Sequence, residues 1–295
     1  MDTGIDVVTG AFGNVGAEIS ARLVAAGRTV RTLTTRTAPA GSAIEAHPLA
    51  FDDPAQLAAA FAGASSFYNT YWIRGGDRGS FERAVGNSVA LITAAARAGV
   101  QRIVQFSVLH PSAESPYPYF RGKAQVESAV QACGVPAAIV RPAVIFGGDN
   151  VLIDNLAWLL RRLPVFVVPG DGQYRVRPIH VGDVAELCLA AARGDGFEAA
   201  AKVEVIDAVG PERPTFDEFV TTLRDALGRR TRIVHAPAPL ALAGAKLLGA
   251  VTRRSLLTGD ELMSTLDGLA DADGPATGTT SLADWIMSNA ETFGR

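Results

Sequence analysis

The chain of 295 residues has little of what marks several classes of protein. It has two cysteines, Cys133 and Cys188, in apolar surroundings and without metal-ligand spacing, which reads as buried free thiols in a reducing compartment. Its four histidines, His47, His110, His180 and His235, form no ligand pattern either, so no metal is expected. There is no basic surplus: the net charge is -3 and the arginines are scattered, which argues against a nucleic-acid partner. The N-terminus lacks a basic stretch followed by an apolar run, and no long uncharged apolar segment occurs, so neither a signal peptide nor a transmembrane helix is expected and the reading is cytoplasmic. What the chain does have is 48% hydrophobic residues, enough for a substantial core and against disorder.

Strand-like and helix-like segments alternate through the first two thirds. Apolar, β-prone runs predict strands at Asp6–Val8, Thr29–Thr34, Ala43–Phe51, Ser66–Thr70, Arg102–Ser107 and Ala137–Val140, with a later one at Lys202–Ile206. Helical periodicity fills the gaps at Val15–Ala26, Pro54–Phe61, Ser80–Ala98 and Phe120–Cys133. Such alternation predicts a parallel sheet with helices on both faces and ligands at the carboxyl ends of the strands. Beyond Phe146 the pattern loosens, with helices expected at Asp149–Arg162, Val181–Arg193 and Thr215–Leu227, the last with Thr215 as N-cap. Ala236–Val251 has the composition of a membrane-surface segment with thin cationic support, and is read as a helix covering a substrate pocket.

The first stretch with chemical content is Val8-Thr9-Gly10-Ala11-Phe12-Gly13-Asn14-Val15-Gly16, a glycine-rich turn between the first strand and the first helix. Glycine there permits positive φ and lets an anion approach the amides of the helix N-terminus, where aligned peptide dipoles favour negative charge. A phosphate guest and a tight turn without ligand are both open on this stretch alone. The second is Tyr119-Phe120-Arg121-Gly122-Lys123. Tyr and Lys four apart share one helical face, where an ammonium stabilises a phenolate and makes the phenol a proton donor or acceptor nearer working pH. Ser107, at the end of a strand, offers a hydroxyl for the same substrate oxygen.

Together these stretches resemble the short-chain dehydrogenase/reductase superfamily over nearly the whole chain. The TGxxGxxG form of the loop is similar to its extended and atypical branches, as are Asn87-Ser88-Val89-Ala90-Leu91-Ile92-Thr93-Ala94-Ala95, Gly99-Val100-Gln101-Arg102-Ile103-Val104, Arg141-Pro142-Ala143-Val144-Ile145-Phe146-Gly147 and Pro178-Ile179-His180-Val181-Gly182-Asp183-Val184-Ala185. More narrowly the chain resembles NAD(P)-dependent epimerase-like and NmrA-like proteins and the nucleotide-carrying accessory subunit of respiratory complex I. The resemblance implies an α/β Rossmann-type, doubly wound parallel sheet with a smaller, mainly helical C-terminal substrate lobe. Residues 1–148 would form the NAD(P)-binding core, 149–178 a lobe insertion, 179–208 a return to the core and 209–295 the C-terminal lobe.

It also implies roles. Gly10, Gly13 and Gly16 would hold the pyrophosphate, with Phe12, Asn14 and Val15 lending loop backbone, and Pro142, Ala143 and Val144 would run past the nicotinamide. Tyr119 would be the general acid/base, Lys123 would bind the ribose and tune Tyr119, and Ser107 would orient the substrate oxygen. His180 and Asp183 are read as structural. The second strand ends in Val30-Arg31-Thr32-Leu33-Thr34-Thr35-Arg36, with arginines where an NAD-selective fold would offer an acid, so NADP(H) is expected in preference to NAD(H), with Arg36 and Arg31 on the 2′-phosphate. Ala50 stands where many relatives place an Asp near the adenine. The expectation is a hydride transfer between NADP(H) and a carbonyl or alcohol, the substrate being a small apolar carbonyl compound. The alternatives are an NADP(H)-binding sensor or structural subunit without turnover and a sugar-nucleotide epimerase, for whose diphosphate Arg161, Arg162, Arg175 and Arg177 are the available cations.

Overall fold

The structure, a computed structural model, describes residues 4–73, 78–148, 151–194, 202–244 and 259–294. The chain divides into two units, Met1–Pro142 with Val181–Ala208, and Ala143–His180 with Val209–Arg295.

In the first unit seven strands form one sheet: β1 (Ile5–Val8), β2 (Thr29–Thr34), β3 (Glu45–Pro48), β4 (Ala64–Asn69), β5 (Arg102–Phe106), β6 (Ala137–Pro142) and β10 (Val203–Ala208). Their order is β10-β6-β5-β4-β1-β2-β3 and every pairing is parallel. The strand order reverses between β1 and β4, the place where an open α/β sheet leaves a crevice at its carboxyl edge. Between the strands run α1 (Asn14–Ala25), α2 (Pro54–Phe61), α3 (Arg78–Arg97), α4 (Pro118–Ala132) and α6 (Val181–Arg193). Helix α1 packs on α6, while α3 packs on both α2 and α4, so the sheet is covered on two faces. Buried Val7, Leu33, Phe61, Phe67, Leu91, Ile103 and Ile139 form a continuous core, the setting in which parallel strands read as apolar runs.

Local chemistry sets the element ends. Helix α2 starts where expected because Asp53 accepts hydrogen bonds from the amides of Ala55 and Gln56, and Pro54 occupies a first-turn position that needs no donor. The strand expected over Ala43–Phe51 shrinks to β3, an edge strand bonded to β2 alone and closed by Pro48. Asp6, buried in β1, is paired with Arg28 at 2.7 and 3.0 Å. Cys188 and Cys133 are free thiols, and burial pushes Cys188 up to about 12.

The second unit holds β7 (Ile145–Phe146), β8 (Val165–Pro169), β9 (Ile179–His180), β11 (Arg232–Ala236), α5 (Val151–Arg162), α7 (Phe216–Ala226), α8 (Gly259–Leu266) and α9 (Leu282–Asn289). It is less purely helical than the lobe expected from sequence, since β8 pairs with β11 and β7 with β9. Phe146, Ile153, Leu160, Phe166, Phe219, Leu223 and Ile286 pack its core. Thr215 caps α7 as expected, in a reciprocal capping box with Glu218. Of the expected pocket-covering helix at Ala236–Val251, residues 238–244 are helical, Ala236 instead ends β11, and residues 245–251 lie outside the described residues, as do residues 149 and 150 of the expected helix at Asp149–Arg162. Among the described residues no helix is long and apolar enough to cross a membrane.

Candidate active site

The glycine loop joins β1 to α1 at the sheet's carboxyl edge. Gly10 has φ 68°, and its carbonyl accepts from Gly13 N at 2.7 Å, closing the turn. A Cβ on Gly16 would stand 2.2 Å from the Gly10 carbonyl oxygen, so Gly16 permits helix and strand to approach each other. At Gly13 the same test gives 3.2 Å, a tight fit. Gly13 is the N-cap of α1 and supplies no side chain to its amides, and the first turn, with Asn14, Val15 and Gly16, carries no acidic residue. That edge therefore fits an anion electrostatically and sterically.

A buried polar chain ties the strand ends together. Thr9 Oγ1 donates to Asn69 Oδ1 at 3.1 Å, and Asn69 Nδ2 donates to Gln105 Oε1 at 2.8 Å, linking β1, β4 and β5. The amide of Thr70 closes back on Thr9 Oγ1 at 2.9 Å. Sequence reasoning passed over these residues because their partners lie far away in the chain.

Arg36 lies two residues beyond the end of β2, exposed, with its guanidinium donating to the carbonyl of Phe12 in the glycine loop at 2.9 Å. Arg31 is not brought to the same place. It lies inside β2 in register with Glu45 of β3, meets that carboxylate at 3.1 Å, and donates to the carbonyl of Ala62 just after α2 at 2.7 Å. Only Arg36 is past the carboxyl end of the strand, so the pair expected on one phosphate is split.

Pro118 opens α4 one residue after its N-cap Tyr117, which puts Tyr119 and Lys123 on successive turns of one helix. Lys123 is 3% exposed, and its Nζ donates to the carbonyl of Phe106 at 3.0 Å. The ammonium lies 4.4 Å from the centroid of Trp72 and 5.7 Å from that of Tyr119, and the two rings meet edge to face at 5.5 Å. Gly122 is needed for this packing, since a Cβ there would stand 3.0 Å from the Trp72 indole. Burial lowers Lys123 to about 7, with Glu127 acting in the opposite direction. Ser107 is buried at the end of β5 and donates to Glu127 Oε1 at 2.5 Å. Glu127 in turn accepts from Arg141 of β6 at 2.9 and 2.6 Å.

Pro142 ends β6, and its carbonyl accepts from the amide of Leu109. Ala143 and Val144 belong to the second unit, where the Val144 carbonyl accepts from Ile179 N. The four arginines considered for a diphosphate all donate to main-chain carbonyls of that unit: Arg161 to Ala290 and Phe293, Arg162 to Gly294, Arg175 to Arg213, and Arg177 to Gly210, Ala272 and Gly274. These bonds hold loops of the unit and leave each guanidinium its charge.

A family model described as NAD(P)H-binding matches residues 10–194, from the glycine loop to the end of α6. The chain belongs to this NAD(P)H-binding family. It is 30% identical over 167 residues to the mitochondrial NADH dehydrogenase [ubiquinone] 1 alpha subcomplex subunit 9 of Arabidopsis thaliana, a match covering 56% of this chain and only 40% of the plant protein. It is 29% identical over 232 residues to the (4-alkanoyl-5-oxo-2,5-dihydrofuran-3-yl)methyl phosphate reductase of Streptomyces griseus, covering 77% and 75% of the two chains. The structure of Citrobacter sp. triphenylmethane reductase complexed with NADP(H) has a TM-score of 0.76 at 19% identity, over 97% of this chain and 99% of that one, a likeness of fold. The resemblance to extended and atypical short-chain dehydrogenases/reductases, and the doubly wound parallel sheet it implies, hold.

Proposed function

We propose that this member of the NAD(P)H-binding family is an oxidoreductase that prefers NADP(H) and transfers a hydride between the nicotinamide and a carbonyl or alcohol carbon of an apolar substrate. The observation that supports the reading is the buried Lys123, bonded to the carbonyl of Phe106 at the end of β5 and 5.7 Å from the Tyr119 ring centroid, with the glycine loop at the carboxyl edge of the same sheet. When bound, the nicotinamide supplies the hydride donor or acceptor. The chain's residues do the rest. Gly10, Gly13 and Gly16 leave room for the pyrophosphate, the loop backbone of Phe12, Asn14 and Val15 holds it, and Arg36 pairs with the 2′-phosphate through a fork suited to phosphate oxygens. Lys123 holds the ribose hydroxyls, and its charge favours the phenolate of Tyr119. In the reducing direction Tyr119 gives its proton to the substrate oxygen; in the oxidising direction it takes that proton back. Trp72 and Phe81, both against the Tyr119 ring, support an apolar substrate by offering aromatic surface in place of charge.

A second reading is a nucleotide-binding subunit without turnover, favoured by the kinship with the complex I subunit. A panel of carbonyl and alcohol compounds, read by nicotinamide absorbance with each cofactor, separates the two. Turnover with any compound establishes the enzyme. A nucleotide that binds and stabilises the protein with no turnover across the panel establishes the subunit.

A further inference from the structure

Glu127 is part of neither the glycine loop nor the Tyr–Lys pair, yet its surroundings are built with care. It is 4% exposed, and both of its oxygens are engaged, Oε1 by Ser107 and Arg141 and Oε2 by Arg141. One turn earlier on α4 stands Lys123, buried to the same degree and bonded to the carbonyl of Phe106, the residue before Ser107. The carboxylate thus joins a hydroxyl at the end of β5 to a guanidinium of β6, one turn from a buried lysine of its own helix. A strap between α4 and β6 alone would need only the bidentate contact with Arg141.

We propose that Glu127 is a positioning residue of the Tyr119–Lys123 site, its carboxylate holding the Ser107 hydroxyl in place and keeping the positive charge on Lys123. A carboxylate accepts hydrogen bonds, so the Ser107 proton points at Glu127 and the serine offers lone pairs elsewhere. For the lysine the argument is electrostatic. Burial disfavours its ammonium, and the negative charge one helical turn away opposes that. The other groups around Lys123 do not do this. On α4 Tyr119 presents its ring, the segment after β4 presents the Trp72 indole, and β5 presents the Phe106 carbonyl. Arg141 of β6 carries the wrong sign and is spent on Glu127, and the charged Glu82 and Arg83 of the neighbouring α3 are exposed. The inference matters for turnover only if the proposed function holds, but the charge on Lys123 can be read without nucleotide or substrate.

The chain has three lysines, Lys123, Lys202 and Lys246, so NMR of the protein grown with isotope-labelled lysine follows each ammonium, with Lys123→Met assigning the buried one. In the parent, Lys123 is expected to titrate near 7. Glu127→Gln keeps the shape and removes the charge, and the Lys123 midpoint should fall by about one pH unit or more. Should the single variant not fold because Arg141 is orphaned, Glu127→Gln/Arg141→Gln removes both charges. Glu127 is the charge that acts on Lys123, so the midpoint should again lie below the parental one. An unchanged midpoint in a folded variant overturns the inference and leaves Glu127 as a structural strap. A parent that binds neither NADP+ nor NAD+ by calorimetry defeats the proposed function instead, and leaves the titration result standing.

Discussion

The ammonium of Lys123 lies 4.4 Å from the centroid of the Trp72 ring, and the indole N–H of Trp72 is buried with no hydrogen-bond partner among the described residues. A buried unpaired donor is costly, on the order of 1–3 kcal/mol, so this pair is poised to change when a polar ligand arrives. If Lys123 turns to a ribose, Trp72 loses its cation. The expected outcome is a change in tryptophan fluorescence on titration with NADP+. It should vanish in Trp72→Phe and persist in Trp285→Phe, whose ring belongs to the second unit. A signal that survives loss of Trp72 would show that the indole does not respond to the nucleotide.

Lys123→Met should make the protein more stable and less able to bind nucleotide. Lys123 stands near 7 in the folded protein against 10.5 for ordinary lysine, so its burial penalty is fully present below pH about 7. The penalty is relieved as pH rises from there towards 10.5, because the unfolded chain then holds a proton that the folded one has released. Below neutrality the parent must hold a buried charge where Lys123→Met holds an apolar thioether of similar length. Denaturant melts at several pH values should therefore show the variant ahead of the parent at pH 6, with the gap closing above neutrality. A variant less stable than the parent at low pH would mean that the Phe106 hydrogen bond and the Trp72 contact outweigh desolvation.

Arg36→Ala should weaken NADP(H) far more than NAD(H). Hydrogen bonds to charged groups contribute roughly 1.5–3 kcal/mol, which corresponds to about a ten- to hundredfold loss for the phosphorylated cofactor. Arg31→Ala should leave the ratio of the two affinities alone and act on stability, since its partners are Glu45 and the carbonyl of Ala62. Calorimetric titration of both cofactors decides; equal losses in Arg36→Ala would remove this arginine from the 2′-phosphate.

Two glycines of the loop should fail in different ways. Gly16→Ala places a Cβ against the main chain of Gly10, which can yield only by moving backbone, so a loss of roughly 1–3 kcal/mol is expected in chemical denaturation. Gly13→Ala meets the same carbonyl at 3.2 Å and should fold nearly as well. Its methyl would nonetheless occupy the approach to the α1 amides, so nucleotide affinity should fall sharply. A folded Gly13→Ala with parental affinity would make this loop a turn only.

The large sheet was legible because parallel strands buried on both faces are continuous apolar runs and the helices between them end at glycines. Gly27, Gly99 and Gly134, each with φ near 80°, stop α1, α3 and α4. β8 and β11 were not legible, because Val165–Pro169 pairs with a segment some seventy residues later and neither carries turn chemistry that announces a partner. At the site, the loop and the Tyr–Lys spacing were local patterns and could be read directly. Glu127 was not, since its meaning depends on Ser107 and Arg141, each on another element; the one signal was its place four residues after Lys123. The split of Arg31 from Arg36 was equally hidden, because it follows from where β2 ends and which residue β3 sets beside it.

Tyr119→Phe divides the two functional readings. The substitution keeps the ring, and with it the edge contacts to Trp72 and Phe120 that hold it on α4, so the helix and the Lys123 position should survive. It deletes the proton that must reach the substrate oxygen as the hydride reaches the carbon. Binding of NADP(H) should stay within about twofold of the parent, because the ribose contact is assigned to Lys123. For a substrate found in the panel, kcat should drop by about 10²–10⁴-fold, the usual worth of a positioned general acid. KM for that substrate should change little, since the lost interaction is made mainly in the transition state. Parental turnover in Tyr119→Phe would put the proton donor elsewhere in the site. A parent that binds the cofactor, turns over nothing in the panel and is stabilised equally by it with and without the Tyr119 hydroxyl would mean that the nucleotide serves the fold, as the subunit reading requires.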